Sequence, residues 1–325
     1  MALAKTVDVA IVVGGTTSGE SEDRPNLSLD HGADALIAAV AAAAPKTIAL
    51  VAAPGAFLTP WRGQVHAAAT LFLGGQESGA AWADVLFGDV AYAAPAPPTR
   101  ALARPAPPNP WHSRRRPLTL AAPAPRRRPS GRLPLTLPAS EAQTIAPSDA
   151  PAIEYAEGLA TGYRAPNATR DAAFPFGHGL TYTTFAFGTP RVGAAASCAP
   201  PQASAATPAA AAAAADAPAP ACAVCLLLPV ANAGNATAAA VPQLYLDVPA
   251  ARWPAPLLRG FRKTAPLAPG AGADVPFCLT ARDLSFYDGG WVLAPAATAH
   301  FGASAGDLRV SLPLPLWGVT TSAAS

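Results

Sequence analysis

The sequence predicts an α/β domain, in which helices cover both faces of a mostly parallel β-sheet, followed by an all-β sandwich. The first part is predicted because mostly apolar runs of strand length alternate with helical segments, and those runs are apolar on both faces. Such strands are typical of parallel sheets that are covered on both sides. The second part is predicted by short strand-like segments, separated by turn residues, after residue 221.

The α/β part begins with an apolar strand at residues 7–14, followed by a polar loop at residues 16–29. A helix follows the loop, and Ser28 or Asp30 is in position to cap it. Two further buried strands and a second helix continue this part to residue 90. Their sequences are KTIALVAAP, AAATLFLGG and SGAAWADVLFGD.

Residues 91–128 interrupt this order with many prolines, eight arginines and no acid. A segment of this composition buries too little apolar surface to repay ordering, so we predict a disordered insertion. Residues 129–193 then complete the α/β part with a connecting segment, and residues 194–221 form an Ala/Pro-rich linker. The sandwich is predicted at residues 222–318. Pro242 lies within one of its predicted strands, which favours an edge position for that strand.

Composition excludes several classes of function. A net charge of +2 indicates neither nucleic acid nor an anionic surface as a partner, and no apolar run is long enough to span a membrane. The first 15 residues are typical of a strand rather than a signal peptide, and the compartment stays open. Cys222 and Cys225 form a C-x-x-C without the second pair that zinc needs. We therefore expect no metal and no cofactor, and interpret the cysteines as small buried residues or an incidental bridge.

The loop at residues 16–29 holds three acids, Glu20, Glu22 and Asp23, and one arginine, Arg24, in a chain that is only 13% charged. It follows a strand of an α/β sheet, where ligand sites usually form. A carboxyl group there can act as a general acid if its surroundings raise its pKa. The alternative is a solvated acidic loop without a catalytic role.

Several segments, in order, resemble glycoside hydrolase family 3, the β-glucosidase and β-xylosidase family. The second domain of that family is resembled by DVAIVVGGTTSGESEDRPNLSL, GGQESGAAWADVLFGDV and PSGRLPLTLP, and FPFGHGLTYTTFAF leads out of it. The fibronectin type III-like domain that ends many members, an immunoglobulin-like sandwich, is resembled by VPQLYLDVP, LRGFRK and LTARDLSFYD. The resemblance covers most of residues 7–310.

The resemblance implies retaining hydrolysis of a β-linked oligosaccharide or glycoside, with one carboxyl group as nucleophile and one as acid/base. In the family, the acid/base glutamate lies in a loop with an S-G-E-x-x-D-R-like pattern. The matching residue is Glu20, and Glu22 is a near alternative. Asp23 and Arg24 match the D-R pair, which implies an ion pair that supports the loop or, alternatively, contact with the sugar.

The family's nucleophile is an aspartate on an N-terminal (β/α)8 barrel, and nothing in this sequence resembles that barrel. We therefore expect the C-terminal part of a β-glucosidase-like enzyme that is inactive alone, because the glycosyl-enzyme intermediate needs the nucleophile. The alternative is a catalytically inactive, carbohydrate-associated or structural remnant. Sugar preference and oligomeric state stay open.

Overall fold

The computed structural model describes residues 2–87, 129–145, 152–198 and 222–316. The predicted insertion at residues 91–128 lies outside the described residues, as do residues 199–221 of the predicted linker. The fold class is confirmed, since a parallel sheet with helices precedes a set of antiparallel sheets. The boundaries predicted between the segments stay predictions.

In the described residues, the parallel sheet has three strands, β1 (Ala10–Gly15), β2 (Thr47–Ala52) and β3 (Ala67–Leu71), in that order. Parallel neighbours need a crossover connection. Helix α1 (Ala33–Ala43) lies in the connection from β1 to β2, and helix α2 (Ser78–Leu86) follows β3. The loops that leave the three strands therefore emerge at the same edge of the sheet.

The predicted cap of α1 is wrong. The N-cap residue is Gly32, with φ 69°, and no side chain caps the helix. Asp30 lies in a short 3₁₀ turn before α1, and its carboxylate binds Thr17 instead. The chain entering α1 packs so closely on β1 that a Cβ built on Gly14 would meet Leu29 Cδ1 at 2.9 Å.

The two faces of β1 differ in burial. Val12 is buried, whereas Ile11 and Val13 on the other face are 50% and 63% exposed. In β2, by contrast, the neighbouring residues Leu50 and Val51 are both buried. Strand β1 is thus an edge strand with one uncovered apolar face in the part of the chain that the structure describes.

The core of the α/β part draws on distant segments. Trp61 is buried, and its Nε1 donates to Asp34 Oδ1 at 2.7 Å. Leu137, from the segment that follows the insertion, packs in the same cluster. The buried members of this cluster are Val12, Leu29, Ala33, Ile37, Ala49, Val51, Ala53, Phe57, Trp61 and Leu137.

Within the described residues, the all-β part contains ten strands in antiparallel pairs. One four-stranded sheet has the order β13-β12-β7-β8; in the second, β6 pairs with β4, β5 and β9; β10 and β11 form a hairpin. Phe277 and Phe301, one from each four-stranded sheet, meet with ring centroids 5.4 Å apart in the shared core. The strands are β4 (Phe185–Phe187), β5 (Arg191–Gly193), β6 (Cys222–Asn232), β7 (Gln243–Asp247), β8 (Leu257–Phe261), β9 (Gly272–Thr280), β10 (Ser285–Tyr287), β11 (Trp291–Leu293), β12 (Ala296–Ser304) and β13 (Asp307–Pro315).

Two details differ from the sequence-based expectation. Strands β4 and β5, from the segment predicted as a connection, pair with β6 on the far side of the linker. The predicted edge strand at Pro242 is wrong, because Pro242 lies one residue before β7, and β7 pairs on both sides with β8 and β12. The missing N–H of the proline therefore costs this sheet no ladder hydrogen bond.

All four cysteines form disulfides, Cys198–Cys225 and Cys222–Cys278. The first ties the segment after β5 to β6, and the second ties β6 to β9. The two cysteines of the C-x-x-C, Cys222 and Cys225, therefore belong to different disulfides. Within the described ranges, no group of three His, Cys, Asp or Glu side chains is placed to hold a metal ion, and no helix is long and apolar enough to cross a membrane.

The chain around Gly177 connects the two parts of the molecule. On the α/β side, Leu133 N donates to His178 O at 2.8 Å, and Gly177 N donates to Leu133 O at 2.9 Å. On the sandwich side, the buried Gln243 Nε2 donates to Gly177 O at 2.9 Å. Both parts therefore form hydrogen bonds with the backbone of the same short segment.

Candidate functional site

The acidic loop, residues 16–29, leaves the carboxyl end of β1 and reverses direction at its outer end. Thr16 N donates to Ala52 O at 3.1 Å, which fastens the start of the loop to the end of β2. Gly19 and Glu22 form an antiparallel bridge, and Ser21 between them has φ 60°. Glu20 and Ser21 therefore occupy the tip of a tight turn at the edge where the parallel strands end.

The two glutamates of this turn differ in their surroundings. Glu20 is exposed and, within the described residues, makes no ion pair and no side-chain hydrogen bond. Glu22 is also exposed, but its side chain lies against the bridge partner: a Cβ built on Gly19 would meet Glu22 Oε2 at 3.3 Å. A carboxyl group at the tip is free to exchange a proton with a ligand that docks against the turn.

The ion pair expected between Asp23 and Arg24 is not formed, since none of the ion pairs in the described residues joins them. Arg24 instead donates from Nη2 to Ala56 O at 2.6 Å and from Nη1 to Thr16 Oγ1 at 3.3 Å. Asp23 is exposed. The expectation fails because Arg24 binds acceptors in the neighbouring loop and in the loop's own first residue. Among the described residues, Arg24 holds the loop through neutral acceptors.

Two carboxylates that sequence reasoning did not assign to the site close the base of the loop. Thr17 donates its backbone N–H at 2.7 Å and its hydroxyl at 2.9 Å to Asp30 Oδ2. The backbone hydrogen bond from Thr17, followed by that from its hydroxyl, lowers the pKa of Asp30. On the other side, Leu27 N donates to Glu141 Oε1 at 2.6 Å. Asp30 had a competing interpretation as a helix cap, and Glu141 is 114 positions away from Leu27 along the chain.

The arrangement places Glu20, Glu22 and Asp23 together on one exposed turn, with Arg24 and Asp30 holding the turn to the sheet. None of the three acids of the turn forms an ion pair in the described part of the chain. The turn therefore presents uncompensated carboxyl groups on a braced support. Its chemistry is proton donation or acceptance, or binding of hydroxyl groups that donate to carboxylate oxygens.

Comparison with known proteins finds family matches for both parts of the fold. Residues 1–106 match the glycosyl hydrolase family 3 C-terminal domain. The match assigns residues 1–106 to the family 3 C-terminal domain. Residues 240–304 match a fibronectin type III-like domain, which coincides with the middle of the sandwich. The two matches do not include the N-terminal barrel of the family.

The relatives of this chain include β-glucosidases. A β-glucosidase of Rhizobium radiobacter is 30% identical over 95% of this chain and 32% of its own length. Probable β-glucosidase L of Aspergillus terreus is 33% identical over 94% of this chain and 38% of its own length. The chain thus spans between 32% and 38% of the length of these two relatives.

Solved structures give the same result. The crystal structure of a β-D-glucoside glucohydrolase from Trichoderma reesei is 29% identical, with a TM-score of 0.71, over 97% of this chain and 41% of its own. A β-glucosidase from Streptomyces venezuelae, solved in complex with D-glucose, is 27% identical, with a TM-score of 0.69, over 97% of this chain and 34% of its own. The α/β part and the sandwich therefore follow one another in this chain as they do in solved β-glucosidases.

Proposed function

We propose that these residues supply the general acid/base of a retaining β-glycosidase, and that Glu20 is the proton donor. The observation that carries the proposal is the position of Glu20 at the tip of the braced turn, at the carboxyl edge of the parallel sheet. The substrate class is a β-linked glucoside or oligosaccharide, as the β-glucosidase relatives support.

The surroundings of the turn favour Glu20 over Glu22 for this role. A general acid must come within hydrogen-bond reach of the leaving-group oxygen, which requires a carboxyl group that projects toward the substrate. Glu20 has no intramolecular partner among the described residues, whereas the Glu22 side chain lies against Gly19. Arg24 and Asp30 support the loop at its base. Arg24 donates to the backbone carbonyl of Ala56, and Asp30 accepts from the backbone N–H of Thr17.

The proposed acid/base requires a nucleophile from outside these residues. Retaining glycosidases place their two carboxyl groups about 5–5.5 Å apart, and the resemblance implies that the second one is an aspartate of the family's barrel. A carboxylic acid alone can protonate a leaving group, but it forms no glycosyl-enzyme intermediate. We therefore expect the 325-residue chain to be inactive until it is combined with a barrel.

The first experiment measures nitrophenol release from nitrophenyl β-glucoside by the purified chain, and the expected result is none. Turnover that disappears in Glu20→Gln would show that the barrel is dispensable. Turnover that survives in Glu20→Gln and disappears in Glu22→Gln would move the acid/base role to Glu22.

The second experiment joins the chain to the N-terminal part of the Rhizobium radiobacter relative. In this chimera, Glu20→Gln should lower kcat by about 10²–10⁴-fold on a glucoside with a poor leaving group. The loss in the glycosylation step should be much smaller for a dinitrophenyl glucoside, because that leaving group departs without a proton. Glu22→Gln is the matched control and should change kcat by less than about threefold under the same reasoning. A folded chimera without activity would favour the inactive, carbohydrate-associated alternative.

A further inference from the structure

A groove of about 560 Å³ lies where the α/β part, the segment around Tyr163 and strand β8 meet. It borders the hydrogen bond that holds the acidic loop, because Ala56, whose carbonyl accepts from Arg24, also lines the groove. Glu20 does not line it. The groove is therefore separate from the exposed acidic turn. The residues that shape it include Ala56, Thr136, Thr161, Arg164, Leu257 and Arg259.

The described residues that line this groove include two arginines and no acid. Arg164 Nη2 donates to the hydroxyl of Thr161 at 2.8 Å, a neutral acceptor that leaves its charge uncompensated. For Arg259, the ion pair in the described residues is with Asp283, at 4.0 Å. The other carboxylate oxygen of Asp283 already accepts from Thr280 N and Oγ1. The groove therefore carries a positive charge that its own walls neutralise only in part.

Two buried polar atoms of groove residues, Thr136 Oγ1 and Arg259 Nε, have no hydrogen-bond partner in the part of the chain that the structure describes. Native proteins pair almost all of their buried polar atoms with protein, water or ligand. Arg259 therefore combines an unsatisfied side-chain nitrogen with a partly neutralised charge, and an acceptor-rich ligand in the groove would compensate that charge.

One wall of the groove is rigid. The Tyr163 ring stacks on Phe176 with centroids 4.4 Å apart, and its hydroxyl accepts from Leu258 N at 3.0 Å. These contacts join the segment that carries Arg164 to the strand that carries Arg259. The two segments that carry these arginines are thus joined across the junction between the two parts of the molecule.

We propose that this groove binds a small oxyanion, and that Arg164 and Arg259 hold it. A guanidinium group presents parallel N–H donors that match two oxygens of one carboxylate or phosphate. Two sources share this chemistry, the carboxylate of an acidic sugar and a phosphate group. Neutral sugars lack the negative charge that would compensate the positive charge of the groove.

The test titrates the full chain with sodium glucuronate, inorganic phosphate and glucose, and follows binding by calorimetry. At least one of the two anions should bind, glucose should not, and affinity should fall as sodium chloride rises. Binding of glucuronate alone assigns the acidic sugar, and binding of phosphate alone assigns the phosphate group. Failure of both anions to bind, or equal binding of glucose, overturns the proposal.

Variants locate the site. Arg164→Gln and Arg259→Gln should each weaken anion binding about tenfold or more, because each removes charged donors. Arg262→Gln is the matched control, because Arg262 is exposed, lies just beyond β8 and does not line the groove. The affinity of this variant for the anion should be unchanged. Unchanged affinity in both groove variants overturns the proposal.

If circular dichroism shows that Arg259→Gln is unfolded, Arg259→Lys replaces it in the binding experiment. It keeps the charge and the stem but loses the fork, so anion affinity should fall several-fold, and unchanged affinity counts against the proposal. Glu20→Gln should leave anion binding unchanged. Because the readout is binding rather than hydrolysis, this proposal stands or fails independently of the acid/base role of Glu20.

Discussion

Replacement of Gln243 by methionine should destabilise the sandwich far more than the same replacement at the exposed Gln143. Gln243 is buried at the start of β7. Its Nε2 donates to Gly177 O at 2.9 Å and to Ala303 O at 2.8 Å, and its Oε1 accepts from Tyr245 Oη at 2.6 Å. Methionine matches its length and unbranched shape but offers no strong donor or acceptor, so three polar groups lose their partner at once.

The magnitude follows from those three groups. A buried group left without its partner costs about 1–3 kcal/mol, and the lower end suits the two carbonyls because they keep a second lone pair. Three groups at about 1 kcal/mol each give a loss of about 3 kcal/mol in the free energy of unfolding. This is a large share of the roughly 5–15 kcal/mol that stabilises an ordinary domain.

The assay is guanidinium chloride unfolding followed by circular dichroism, with Gln143→Met as the matched control. Gln143 also makes two hydrogen bonds, to Asp171 O at 2.8 Å and from Ala139 N at 2.6 Å, but it is exposed, so water replaces it. Its loss should stay below about 1 kcal/mol. Adding Tyr245→Phe to Gln243→Met should recover about 1 kcal/mol, because the unpaired hydroxyl disappears. An equal loss in the two methionine variants would refute the reasoning.

Three further predictions concern the loop and the disulfides. Arg24→Met should speed amide hydrogen exchange across residues 16–29, because the hydrogen bonds to Ala56 and Thr16 are lost. Asp30→Asn should lower stability at neutral pH: the folded pKa of Asp30 is depressed, so the wild-type advantage is present above the unfolded pKa of about 3.9 and fades as pH falls below it. Loss of the Cys198–Cys225 bridge, which spans 27 positions, should lower the free energy of unfolding by about 3.6 kcal/mol, because the unfolded chain gains conformational entropy. Loss of the Cys222–Cys278 bridge, which spans 56 positions, should lower it by about 4.2 kcal/mol. Denaturant unfolding measures both losses.

Each of these predictions has its own control. Asp23→Asn should leave hydrogen exchange in the loop unchanged, and an effect equal to that of Arg24→Met would mean that the ion pair exists after all. For Asp30, a stability difference from Asp30→Asn that stays constant from neutral pH down to about pH 2 would contradict the proposed ionisation. For the bridges, wild-type stability that is the same with and without a reductant would contradict their contribution.

The order of the α/β elements could be predicted because the parallel strands leave apolar runs in the sequence, although in the described residues only β2 is buried along most of its length. Strand β12 could not be predicted in the same way. Its sequence, AATAHFGAS, is dominated by alanine and glycine, which have weak strand preference. It is a strand because β7 and β13 pair with it on both sides. Strands β4 and β5 are only three residues each, too short for a periodic signal.

The location of the acidic turn could be predicted, but not the way it is held. A polar loop after an apolar strand places Glu20 at the carboxyl edge of the sheet, and the structure puts it there. The partners of Arg24 and Leu27 depend on contacts across 32 and 114 positions, which no local pattern records. For the same reason, the local pattern favours Asp30 as a helix cap, although its partner Thr17 lies 13 positions before it.

The edge position of β1 has a consequence for handling the isolated chain. Ile11 and Val13 are exposed on a strand that pairs on only one side in the described residues, so its other edge offers free backbone donors and acceptors. An uncovered apolar edge of this kind is a template for strand pairing between molecules. We expect light scattering to rise with protein concentration, and Val13→Lys, which places a charge on that edge, to suppress aggregation.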